Sequence, residues 1–442
     1  MTLWPHQSSG ADFLCDRRSA MLCFSPRVGK SRTVLEAHRR LGGNPCLILC
    51  PTGVLGVWPA EIAAVNPGAK VRVIKSSVQF AWPKANEVVV CSYGCLPKSH
   101  ADMPPKRMVL ILDEAHILRK ATSGINHTVT DLIATTICSN TGGRAYYLSG
   151  TPMLHSPQDM WEAVCALQLV SQVFGSYARF AAAYGSEVKM IRRPTLYGFE
   201  MVQQVKEWGQ PGPEVARALK QVMFRKTREE VAQWLPRVSV QVRTVQPSAE
   251  ASRLSDEALH AIRSRGLSVD EAFSIARLQT TARFPEVARA MAALAVSKAD
   301  SLLQEVELFE AAGIPLVVGS AHRAPLEALA TRTGWRSIHG GVSPAGRSRA
   351  VMEFNTGRLK GLGLSVTAGG LGIDLAQGGC DLLILDQDWS PGLNSQLADR
   401  LLGPRQTKPV SILHLVCDHP LEKRLNQVLQ AKAERIDRTL CG

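Results

Sequence analysis

No stretch of the 442-residue sequence strings together the roughly 18 apolar residues that a membrane helix requires, so a membrane span is not expected. Met1 to Gly10 lacks the basic start and apolar core of a secretory signal. There is no internal repeat, which argues against a solenoid, and no low-complexity tract. The cysteines number 11, an odd count with no signal peptide beside it, which argues against a disulfide framework and for free thiols in a reducing cytoplasm. Cys46/Cys50 and Cys91/Cys95 are closely spaced pairs, yet Cys46, Cys50 and Cys91 lie in or beside apolar runs. Buried inert thiols fit that setting better than a four-ligand zinc site.

What is present is an ordinary globular composition, 45% apolar and 20% charged, in a chain long enough for two or three domains. Charge is less ordinary. Lys and Arg total 51 against 38 acidic residues, a formal net charge of +13. The excess is uneven: residues 1–235 hold 27 basic and 17 acidic side chains, and residues 236–442 hold 24 and 21. Such a surplus suits a polyanionic partner or simply a solvated basic surface, and composition alone does not choose between them.

Short apolar runs recur between turn residues: Ala20–Phe24, Cys46–Cys50, Val88–Cys91, Met108–Leu112 and Ala145–Leu148, then Pro315–Val318, Gly361–Val366, Leu382–Leu385 and Val410–Val416. Continuous rather than alternating apolar strands imply burial on both faces. Helical stretches separate them, one of them running from Lys30 to a stop at Gly42-Gly43. The expected fold class is therefore α/β with parallel sheets. Residues 155–312 read as mostly helical, and the domain boundary is expected near 236. This gives an N-terminal lobe over 1–235 and a C-terminal lobe over 236–442, with a helical region at 248–312.

Phe24-Ser-Pro-Arg-Val-Gly-Lys-Ser31 follows a strand and opens a helix, which is the context of a phosphate-binding loop. Arg27, Val28, Gly29, Lys30, Ser31 and Arg32 are its expected nucleotide contacts. Lys30 would neutralise the outer phosphates and Ser31 would ligate Mg²⁺. Downstream, Met108-Val-Leu-Ile-Leu-Asp-Glu-Ala-His116 delivers two adjacent carboxylates to a strand end. Asp113 is the expected metal carboxylate, and Glu114 the base that activates water. A helix cap at Asp113 is the plain alternative.

Other segments stand in a specific order around these two. Leu3-Trp-Pro-His-Gln7 precedes the loop. Pro51-Thr52 through Trp58-Pro-Ala-Glu61, then Ser92-Tyr93 and Ser149-Gly-Thr-Pro152, follow it. Phe224 to Val231 and Leu235-Pro236 precede a second set of strands. That set carries His339-Gly-Gly, Arg347, Ala368-Gly-Gly-Leu-Gly-Ile-Asp-Leu375, Asp388-Trp-Ser-Pro391 and Gln396-Leu-Ala-Asp-Arg400. This succession resembles the Swi/Snf-type DNA translocases of the superfamily-two helicases, and among them the compact phage or bacterial members. The resemblance implies two RecA-like P-loop lobes and an ATP hydrolase. It also implies ATP and Mg²⁺ as cofactors, double-stranded DNA as partner, a nucleic-acid-associated cytoplasmic protein, and little beyond the motor itself. By the same resemblance, Gln7 reads adenine, and Gly372 and Asp374 join the nucleotide site. Thr52, Trp58, Ser92, Tyr93, His339, Gly340, Thr367 and Gly369 face nucleic acid, and His116, Ser149 and Thr151 couple the two activities.

The chain departs from the family at two places. Arg27 stands where helicases usually have glycine, and Gly403 stands where a second arginine belongs. Arg400 is the expected arginine finger, with Arg405 as substitute for the missing one. The expected function is a DNA-stimulated ATPase that translocates along or remodels duplex DNA. The alternatives are a strand-separating DNA or RNA helicase, for which the sequence offers no visible wedge, and an ATP-binding nucleic-acid clamp with weak turnover. Trp58, Trp161, Trp208, Trp234, Trp335 and Trp389 could stack on bases, but scattered tryptophans more often pack cores. Arg192-Arg193 reads as a solvated loop.

Overall fold

A computed structural model of the chain describes residues 3–97, 103–119, 124–138, 142–195, 198–205, 207–231, 238–269, 272, 284–367, 373–375, 380–402 and 408–441. The contacts divide the chain into two compact units, Met1–Gln233 together with Glu434–Gly442, and Trp234–Ala433.

The first unit is built on strands β1 (Ser19–Phe24), β2 (Cys46–Cys50), β3 (Lys70–Ile74), β4 (Glu87–Ser92), β5 (Val109–Leu112), β6 (Arg144–Leu148) and, after a separate antiparallel hairpin of β7 (Val188–Thr195) and β8 (Gly198–Val205), β9 (Met223–Lys226). Seven of them form one sheet in the order β3-β4-β2-β5-β6-β1-β9, every neighbouring pair parallel. Alternate residues serve opposite faces. Met21, Cys23, Leu47, Leu49, Leu110 and Leu112 enter one core. Ala20, Leu22, Phe24, Ile48 and Ile111 enter the other. This is why the central strands are apolar at every position. Helices α1 (Pro5–Cys15), α2 (Lys30–Arg40) and α3 (Trp58–Val65) follow the same logic, and α2 ends at Gly42 and Gly43, whose φ angles of 83° and 70° demand glycine.

The second unit repeats the plan. Its strands are β10 (Val238–Val245), β11 (Leu316–Ser320), β12 (Trp335–Ile338), β13 (Gly361–Ser365), β14 (Asp381–Ile384) and β15 (Val410–Cys417). They form a parallel sheet in the order β10-β15-β14-β11-β13-β12. Helices Ala249–Ser264, Pro285–Ser297 and Ala299–Ala311 lie between β10 and β11. Lys298 is fully buried there, and its ammonium donates to the carbonyls of Leu385 (2.6 Å) and Leu415 (2.8 Å) and to Glu422 (2.5 Å). Removing one partner of such a buried pair costs about 3–5 kcal/mol.

The α/β reading with two parallel sheets therefore holds. Residues 155–312 are mostly helical, as expected, and the β7–β8 hairpin, β9 and β10 also lie among them. These strands, like β3 and β12, are at sheet edges or outside the large sheets, so they lack the continuous apolar signal. Among the described residues no helix is long and apolar enough to cross a membrane, and the eleven cysteines are free, with Cys46, Cys50 and Cys91 buried.

Candidate active site

The segment between β1 and α2 makes a tight loop whose last residue, Gly29, caps the helix without offering a side chain. Its φ is 96°, and a Cβ there would sit 2.1 Å from Nε2 of Gln7, so both conformation and space require glycine. The first turn of α2 is thus open toward an anion. Arg27 also has a positive φ, 63°, so the backbone keeps the shape that glycine usually supports. An L-residue there costs roughly 1–2 kcal/mol. Gln7 is buried. It accepts from the amide of Trp4 (3.0 Å), and its amide group donates to the carbonyl of Val28 (3.4 Å), which fastens α1 to the loop. His6 Nε2 also lies 2.9 Å from that carbonyl. The ammonium of Lys30 donates to the carbonyl of Phe24 (2.9 Å), and a Cβ on Gly150 would come within 3.3 Å of it. Ser31 and Arg32 follow on the first turn, and Arg32 lies 3.4 Å from Glu61 of α3.

β5 ends directly in the carboxylate pair. Asp113 is buried, donates its amide to the carbonyl of Leu49 (2.8 Å), and accepts the amide of Glu114 at Oδ1 (3.0 Å). Burial first, and the charge of Glu114 second, push its carboxyl up to about 7, while Lys30 pulls the other way. A buried acid beside a second carboxylate fits a small hard cation, whose charge would hold both groups ionised. Glu114 has φ 48°, a left-handed turn that lets successive carboxylates leave the strand in different directions. His116 Nδ1 lies 3.2 Å from Glu114 Oε2 and 3.3 Å from the hydroxyl of Ser149, which also accepts the amide of Thr151 (3.1 Å). The residues expected to couple, His116, Ser149 and Thr151, are thus in one hydrogen-bonded group, with the Glu114 carboxylate close to its histidine.

Among the residues of this unit expected to face nucleic acid, Trp58, Ser92 and Tyr93 need correction. Thr52 is exposed on the turn after β2. Trp58 is only 2% exposed, and its indole N–H donates to Asp113 Oδ2 (3.2 Å). Tyr93 is buried, and its hydroxyl donates to the carbonyl of Asp113 (2.8 Å). Ser92 is buried too, donating to Cys95 Sγ (3.2 Å). Trp58, Ser92 and Tyr93 therefore do not offer their side chains to a polyanion. Apolar area and buried polar partners have drawn them inward.

In the second unit Gly340 and Thr367 are exposed, while His339 is buried and accepts the amide of Gly341 at Nδ1 (3.2 Å). Arg347 donates to the carbonyl of Gly340 (3.2 Å). Asp374 accepts from Asn355 through its backbone carbonyl (2.8 Å), and the carbonyl of Arg400 accepts the amide of Leu375 (3.0 Å). Gly369, Gly372 and Arg405 lie outside the described residues. The sequence reading passed over Asp386, which is buried just beyond β14. Its carboxylate takes the hydroxyl of Ser320, the amide of Ala321 (3.1 Å) and His322 Nδ1 (2.6 Å). An acid straight after the apolar run Leu382–Leu385 is the same signal that marked Asp113.

The SNF2-related domain family matches residues 13–284, which include the Lys30 loop, Asp113, Glu114, His116 and Ser149. The chain belongs to the SNF2-related family. Among relatives, the DNA annealing helicase and endonuclease ZRANB3 of Bos taurus is 22% identical over 464 residues, covering 100% of this chain and 41% of the relative. The putative ATP-dependent helicase/translocase YwqA of Bacillus subtilis (strain 168) is 23% identical over 476 residues, covering 98% and 48%. This SNF2-related chain thus spans less than half the length of either protein. The SWI2/SNF2 ATPase core of Sulfolobus solfataricus, solved in complex with dsDNA, is 15% identical with a TM-score of 0.42, over 98% of this chain and 92% of that one.

Proposed function

We propose that this SNF2-related chain is a DNA-stimulated ATPase that couples ATP hydrolysis to translocation along, or remodelling of, duplex DNA. It would act in the cytoplasm of a bacterial or phage-infected cell, with 1–235 and 236–442 as its two lobes. The observation that carries the reading is the convergence of Lys30, Asp113, Glu114, His116 and Ser149 at the strand ends of one sheet, the family's signature span. In this reading Gln7 holds adenine beside the loop, and Arg27, Val28, Gly29 and Arg32 shape the cradle. The Lys30 ammonium leaves the carbonyl of Phe24 for the outer phosphates. Glu114 takes the proton of the attacking water, and His116 passes the state of that carboxylate to Ser149 and Thr151. Mg²⁺, when bound, would sit with Ser31 and Asp113 and supply charge neutralisation at the phosphates. Arg400, with Arg405, Gly372 and Asp374, would also serve the nucleotide. Thr52, Gly340, Thr367 and Gly369 would meet the DNA backbone, which the net charge of +13 favours.

A second reading, strand separation, draws on the β7–β8 hairpin, an antiparallel element standing outside the parallel sheets. The test is ATPase rate with no nucleic acid, single-stranded DNA, duplex DNA and RNA. Strong duplex stimulation is expected. A preference for single strands would favour the second reading, and absent turnover would leave only an ATP-binding clamp.

A further inference from the structure

The two aromatic residues that the sequence pointed toward DNA turn inward and meet at one acid. Trp58 starts α3, which follows the turn carrying exposed Thr52. Tyr93 directly follows β4. One donates to the carboxylate of Asp113 at 3.2 Å and the other to its backbone carbonyl at 2.8 Å. From the same helix as Trp58, Glu61 reaches Arg32 at 3.4 Å, one residue beyond Ser31. That pair is part-exposed and weak, so it marks position rather than supplying energy. α3 therefore touches both halves of the phosphate site, the helix that follows the loop and the acid at the end of β5.

We propose that Trp58 and Tyr93 are positioning residues that transmit duplex binding to the nucleotide site by setting the placement of Asp113. The inference rests on the motor reading above, in which Asp113 serves the metal and the Thr52 turn faces DNA. A short helix whose first residue is bonded to Asp113 moves that bond whenever the preceding turn is pulled. Both rings are buried in a close-packed interior that passes a displacement on, and in each the one polar atom ties that movement to Asp113. Linkage then makes the effect reciprocal: duplex DNA tightens Mg²⁺-nucleotide, and Mg²⁺-nucleotide tightens duplex DNA.

The experiment uses the full chain and a fluorescent, non-hydrolysable ATP analogue with Mg²⁺, titrated with and without saturating duplex. Trp58→Phe removes the indole N–H, and Tyr93→Phe removes only a hydroxyl. The wild type is expected to show a coupling factor of roughly 5–150-fold. In each variant the factor falls toward one, while analogue binding without DNA and duplex binding without analogue change little. Duplex-stimulated kcat falls further than unstimulated kcat, so the stimulation ratio drops in parallel. A factor kept at the wild-type value in both variants overturns the proposal and leaves the motor reading standing. Equal loss of stimulated and unstimulated turnover with the factor intact also overturns it, since that is what a merely structural role gives. A wild-type factor of one overturns this proposal, and the motor reading then stands or falls on duplex stimulation of the ATPase rate alone. If Trp58→Phe lowers Tm enough to prevent folding, the near-isosteric Tyr93→Phe decides.

Discussion

The turn after β1 and the turn after β11 occupy comparable places, each between a buried parallel strand and a helix, yet they are finished in opposite ways. After β1, Gly29 caps α2 with no side chain, and the first helical turn is left open. After β11, Asp386 fills the corresponding space with the protein's own anion: it takes the hydroxyl of Ser320, the amide of Ala321 and the ring of His322, while the amide of His322 turns back to Ser320 Oγ at 2.9 Å. β11 and β14 are also where the chain order of the second sheet reverses direction, the usual place for a ligand. One sheet thus ends its first turn in a bare glycine cap and the other in a carboxylate of the protein itself. Parallel architecture creates the opportunity, and a single carboxylate decides whether it is used.

If that contrast is right, the second unit serves ATP through arginine rather than through its strand-end turn. An arginine reaching the γ-phosphate is worth about 10³–10⁵ in rate, so Arg400→Ala is expected to lower turnover by about that factor at saturating DNA and ATP. Arg405→Ala and the double variant show whether Arg405 stands in for the arginine absent at 403. Retained turnover with weakened DNA binding in Arg405→Ala would move that residue to the DNA path.

On the other side of the comparison, Lys30→Ala is expected to abolish turnover while leaving salt-sensitive duplex binding largely intact. A single preorganised donor at developing charge is worth about 10²–10³, and Lys30 also binds the ground state. Wild-type turnover in this variant would remove the phosphate-loop assignment. Glu114→Gln should slow hydrolysis by about 10²-fold or more yet still bind the Mg²⁺-nucleotide, trapping a DNA-bound state. Nucleotide binding lost together with hydrolysis would count against the base role.

Smaller effects sharpen the contrast. Asp386→Ala leaves buried donors without an acceptor and should cost about 1–3 kcal/mol of stability, read as a lower Tm, with ATP-analogue binding to the first unit unchanged. If instead it behaved like Lys30→Ala, the division between an open and a closed turn would fail. Arg27→Gly relieves a left-handed arginine but adds chain entropy, so a net gain of about 1 kcal/mol or less is expected. A clear fall in Tm would mean that the Arg27 side chain itself holds the loop.

Legibility followed burial. β1, β2, β4, β5 and β6 were each recognisable because they sit inside a sheet covered on both faces, and the same is true of β11, β13, β14 and β15. The strands missed within the two sheets, β3, β9, β10 and β12, are the four edges. β10 shows why: Val240 and Val242 are 61% and 67% exposed, so no core selected a continuous apolar run. The Lys30 loop and the Asp113-Glu114 pair were readable because their chemistry lies in consecutive residues. Trp58 and Tyr93 were misread because a position in a motif says which segment a residue belongs to and not which way its side chain faces.

By itself, then, the sequence determined the α/β class, the order of the motifs, the family resemblance and the strand-to-helix loop that holds Gly29 and Lys30, all of them encoded in local pattern. Only the tertiary structure decided that Gln7 closes over Gly29 and that His116 meets Ser149. It alone turned Trp58 and Tyr93 onto Asp113 and let Asp386 occupy the turn after β11. Each of those contacts joins residues from separate elements. Their energy comes from satisfying buried polar groups, a condition that exists only once the sheets have assembled and excluded water.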